Sequence, residues 1–154
     1  VVARPGREVI LPGARVMPWV SPHGERDATG RFKDFPALGY RVETAVGTYL
    51  FPVDVRTYDP ACLAGLAGEA TVFAHVFLGR AQALSDRPPL LEDFVAFYRA
   101  CRPRSLILGH LYELAREPED CWRTPHVALV KRAFERAGAS FAVTAPDWFE
   151  GQPL

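Results

Sequence analysis

Two apolar runs constrain this chain more than any other feature: Thr71-Val72-Phe73-Ala74-His75-Val76-Phe77 and Ser105-Leu106-Ile107-Leu108. Both are short, rich in β-branched residues and apolar without alternation, the signature of strands buried on both faces. Between them, Leu91, Phe94, Val95, Phe97 and Tyr98 recur at helical spacing across 90–102. A second helix is expected after the second run: Thr124 is placed to cap it, Pro125 suits its first position, and Val127, Val130, Ala133, Phe134 and Ala137 line one side until Gly138 ends it. A last strand is expected over 140–145.

The front of the chain reads differently. Apolar runs at 8–12 and 14–20, split by Gly13 and bounded by prolines, suit strands at a sheet edge. Residues 21–35 are polar and read as a long surface loop holding His23. Then 38–44 and 48–53 alternate about the turn Ala45-Val46-Gly47 as a hairpin, and 59–66 reads as a short helix. Strands in front and strand–helix alternation behind predict an α/β (α+β) arrangement, a mixed β-sheet with helices on one face, in a single domain over 1–154.

Composition narrows the function. Lys+Arg 18 against Asp+Glu 18, with the basic residues scattered, leaves no electrostatic footprint for nucleic acid. No apolar run reaches the roughly 18 residues of a membrane span, and no signal-peptide pattern opens the chain. Cys62, Cys101 and Cys121 are an odd number without a close pair, which suits idle or buried thiols in a reducing cytoplasm. No glycine-rich phosphate loop follows a strand, which argues against a nucleotide-binding domain. The chain opens with Val1 and its one methionine is Met17, so it is read either as a product without its initiator or as a piece of something longer.

Two polar residues stand just past apolar runs: Asp54 after Phe51-Pro52-Val53, and His110 after Leu106-Ile107-Leu108-Gly109. Residues there face the crevice at the carboxyl ends of strands, and a carboxylate and an imidazole are good metal ligands. The alternative is that Asp54 caps a turn and His110 satisfies a buried hydrogen bond.

The succession Gly39-Tyr40-Arg41-Val42-Glu43-Thr44, Leu50-Phe51-Pro52-Val53-Asp54-Val55-Arg56 and Ile107-Leu108-Gly109-His110-Leu111 resembles the C-terminal half of a metallo-β-lactamase-fold hydrolase. The order of elements matches from about Val9 to Leu154. The resemblance implies that Asp54 bridges two metal ions, expected to be zinc, and that His110 is the last ligand. The family's N-terminal motif, His-x-His-x-Asp-His, is absent, since the histidines are His23, His75, His110 and His126. The resemblance therefore implies half of a site, inactive alone, with an apolar sheet face for a missing N-terminal half or a second copy to cover. It also implies a small-molecule substrate, such as an ester, a thioester or a phosphorylated metabolite. His75 is expected to contact substrate or support a ligand, against a reading as a satisfied core histidine. His23 and Tyr112 are expected at the substrate, Glu113 orienting His110, and Arg116 clamping an anionic group; Glu113 and Arg116 read equally as a surface ion pair. His126 is read as structural, and Trp19, Phe94, Phe97, Tyr98, Phe134 and Phe141 as core. The rival reading is a metal-free interaction module that pairs with another chain.

Overall fold

A computed structural model describes residues 2–26, 29, 32–34, 37–53, 55, 57–63, 66, 68–76, 79–80, 84, 90–112 and 117–146, with 24–26 and 32–34 as backbone. Its strands are β1 (Val9–Leu11), β2 (Ala14–Val20), β3 (Gly24–Arg26), β4 (Phe32–Asp34), β5 (Leu38–Thr44), β6 (Gly47–Val53), β7 (Thr71–His75), β8 (Ser105–Gly109) and β9 (Ala142–Thr144). The helices are α1 (Leu91–Ala100) and α2 (Val127–Arg136).

Seven strands form one sheet in the order β1-β2-β5-β6-β7-β8-β9. The first four pair antiparallel, and β6 through β9 pair parallel. Connection length explains the change. Two-residue turns join β1 to β2 and β5 to β6, whereas each later strand returns by a crossover long enough to hold a helix or 3₁₀ turn. At the β5–β6 turn the Thr44 hydroxyl accepts the Val46 and Gly47 N–H groups at 3.3 and 3.2 Å, fixing the hairpin register.

The pleat divides the sheet into two faces. Leu50, Val72, Ala74, Leu106 and Leu108 are at most 1 % exposed and pack with Phe94, Phe97 and Tyr98 of α1 and Val130 and Phe134 of α2. Each such side chain contributes roughly 1.5–3 kcal/mol by leaving water. Tyr58 closes this core edge-on, 5.6 Å from the rings of both Phe94 and Phe97. The alternate residues, among them Phe51 and Phe73, face the other way, and these two rings stack at 4.6 Å and 10°. No described helix covers that side, as the mixed sheet with helices on one face requires.

Three local expectations are corrected. Within the predicted loop 21–35 a ribbon of β3 and β4 forms, pairing Gly24 with Asp34; a two-stranded ribbon apart from the main sheet needs no apolar alternation to be read. The predicted helix over 59–66 is a 3₁₀ turn, Pro60–Leu63, begun by the Asp59 carboxylate accepting the Ala61 N–H at 2.9 Å. Thr124 does not cap α2: Thr124–His126 is itself a 3₁₀ turn, and the His126 ring accepts the Arg123 N–H at Nδ1, 3.1 Å away.

Candidate functional site

Strand direction gathers the candidate residues. Strand β2 is antiparallel to β5, which is antiparallel to β6, so β2 runs with β6, β7, β8 and β9. All five carboxyl ends therefore lie along one edge of the sheet. Register then sets the spacing: Val53 pairs with Ala74, and His75 pairs with Gly109. Adjacent strands lie about 4.8 Å apart, so the ends of β6, β7 and β8 succeed one another along that edge.

His75 and His110 are brought together. Their ring centroids are 5.2 Å apart with planes 19° from parallel, and both residues are half-buried. His75 follows Phe73 on the helix-free side of the sheet, one residue beyond the buried Ala74.

His23 arrives at the same edge from β2. The buried Ser21 hydroxyl donates to the Pro52 carbonyl at 2.6 Å, and the Ser21 N–H donates to the Ala37 carbonyl at 2.9 Å. The Thr57 N–H donates to the Pro22 carbonyl at 3.1 Å. The segment carrying His23 is thus fastened across the start of β5 to both sides of the chain stretch that contains residue 54. Ser21 went unread in the sequence because a serine in a polar segment gives no burial signal.

The backbone at this edge is unusual. Val53, His110 and Tyr112 have φ of 64°, 58° and 58°. A β-branched residue in the left-handed region is a true outlier, and such conformations cost of order 1–3 kcal/mol and cluster at functional sites. Tyr112 donates its N–H to the Trp122 carbonyl at 2.8 Å and its hydroxyl to Thr124 at 3.3 Å, so it sits beside His110, 36 % exposed.

His126 is structural, as its sequence position indicated. Its Nε2 meets an Arg80 guanidinium nitrogen at 2.5 Å, and its ring stands edge-on to Trp122 at 6.3 Å. Burial, then Arg80 and Arg123, push its pKa below the ordinary histidine value. None of the three thiols is in a disulfide, with Cys101 and Cys121 buried and Cys62 half-buried; burial pushes Cys101 up to about 12, so it is inert.

Asp54, Glu113 and Arg116 lie outside the described residues. Among the described residues no three histidine, cysteine, aspartate or glutamate side chains gather to hold a metal ion. What the described residues supply is a pair of imidazoles in contact at the end of two parallel strands, and imidazole nitrogen is a preferred donor for zinc and its neighbours.

Comparison with solved structures shows that this chain has the metallo-β-lactamase fold. The fold protein YhfI from Bacillus subtilis superposes with a TM-score of 0.62 at 10 % identity, over 96 % of this chain and 52 % of YhfI. Igni18, a metallo hydrolase from Ignicoccus hospitalis, gives 0.56 at 14 % identity over 99 % of this chain and 61 % of its own. A variant of CmlA β-hydroxylase gives 0.55 at 15 % identity over 93 % and 31 %. The chain thus spans about half the length of YhfI and a third of CmlA. No family model and no curated protein matches the sequence. No helix among the described residues is long and apolar enough to cross a membrane.

Proposed function

We propose that this chain forms part of a metal-dependent hydrolase, providing Asp54 and His110 as ligands to a site at the carboxyl edge of its sheet. The observation that carries this reading is the convergence of the ends of β6, β7 and β8 on that edge, with His110 half-buried against a second imidazole. The named relative Igni18, a metallo hydrolase, supports the reaction class. Asp54 and His110 would help to hold a zinc ion, which when bound would supply a hydroxide near neutral pH and polarise a carbonyl or phosphoryl oxygen. Everything else falls to the chain: His110 is held in place by its strand and by the turn at φ 58°, while His23 and Tyr112 flank the edge from either side as substrate contacts. Glu113 orients His110 and Arg116 pairs with an anionic substrate group. The substrate class is a small ester, thioester or phosphorylated metabolite, because the balanced, scattered charge offers no track for a polyanion. The free thiols suit a cytoplasmic setting.

A site built from two protein ligands falls short of the three that catalytic zinc takes. We infer that the counterpart half of the fold brings the remaining ligands and covers the helix-free sheet face. Metal analysis of the purified protein tests the reading: zinc retained by the wild type and lost in both Asp54→Ala and His110→Ala, with both variants still unfolding cooperatively, is the expected result. Metal retained equally by both variants rules the assignment out, and a wild type that takes up none favours the metal-free module.

A further inference from the structure

We propose that His75 is itself a metal ligand, sharing one ion with His110; this rests on the metal-site reading above and adds a residue to it. Two observations carry the inference. First, His75 pairs in register with Gly109, so its side chain leaves the sheet one position before His110 on the neighbouring parallel strand. Second, the pair has the separation that a shared ion requires. With nitrogens ~2.0–2.1 Å from a tetrahedral ion, two imidazole centroids come to lie about 5 Å apart; the observed value is 5.2 Å. The ring planes, now 19° from parallel, need only turn about χ2, the softest torsion of a histidine side chain.

The competing account is that the two rings merely stack. Replacing His75 by Phe separates the two, since phenylalanine keeps an aromatic ring against His110 and removes the donor nitrogen. Replacing it by Cys restores a donor without the ring. Cobalt(II) titration of the purified chain reads the result directly through ligand-field absorption, with isothermal calorimetry for affinity and urea unfolding to establish that each variant is folded.

The expected outcome is that His75→Phe weakens cobalt binding at least tenfold and shifts the visible bands, while His75→Cys binds and adds a thiolate charge-transfer band. His75→Phe binding cobalt with wild-type affinity and spectrum overturns the inference. If His110→Phe abolishes binding in that same series, the metal-site reading survives the loss of His75. A wild-type chain that binds no cobalt overturns both.

Discussion

Single contacts in this molecule have consequences that can be measured one at a time. His126 accepts a backbone N–H at Nδ1 and faces two arginines, so the folded chain prefers its neutral form and its pKa lies below the ordinary 6.5. Below pH 6.5 the unfolded chain therefore binds more protons at this residue than the folded chain does, and stability falls as pH drops. Urea midpoints measured between pH 7.5 and about 5 are expected to fall more steeply for the wild type than for His126→Asn, whose amide oxygen keeps the capping role without titrating. Parallel slopes for the two proteins contradict this account. Gly39 poses a steric problem of a different kind. It pairs with Trp19 across β2 and β5, and a Cβ there comes within 2.4 Å of the indole, which is itself 8 % exposed and held in the core. Gly39→Ala is expected to cost about 1–3 kcal/mol of stability by chemical denaturation, and no loss means the indole has room to yield.

At the scale of elements, helix α2 is held through Phe134. That ring is 1 % exposed and meets Phe94 of α1 at 6.1 Å and Phe141, just before β9, at 5.6 Å. Phe134→Ala thus loosens a helix–helix contact and the approach to the last strand together, and a loss of roughly 3–5 kcal/mol in urea unfolding is expected. A loss below about 1 kcal/mol shows that the neighbouring rings collapse into the gap. The helices, and the strands that they cover, were legible in the sequence because burial of one face leaves a period of 3.6 or an unbroken apolar run. Asp54 and His110 were singled out for a similar reason, since a polar residue ending an apolar run is visible from composition alone. The contact between His75 and His110 was not legible. It depends on the register of two parallel strands joined by a crossover, and the length of a crossover does not encode register. The contact that fastens the segment of His23 was hidden in the same way, because it is one hydroxyl, that of Ser21, reaching a carbonyl 31 positions away.

For the whole molecule, the asymmetry of the sheet decides what it needs. Strands β7 and β8 put Phe73 and Ile107 on the face opposite the helices, and parallel strands are ordinarily covered on both faces. Here both described helices pack on one side; on the other Tyr49, Thr71 and Ile107 are buried, Tyr40, Val42, Phe51 and Phe73 are half-buried, and Val20 is 57 % exposed at the end of β2. We propose that the occupant of this face is the counterpart sheet of the fold. On that account the chain in isolation binds an apolar dye such as 8-anilinonaphthalene sulfonate, sediments as a monomer, and loses several-fold in dye fluorescence on Phe73→Lys, which charges the centre of the face without touching the helical core. A dimer that Phe73→Lys dissociates assigns the face to a second copy instead. A wild-type monomer that binds no dye shows that the half-buried aromatics are closed over by the chain itself and need no second layer.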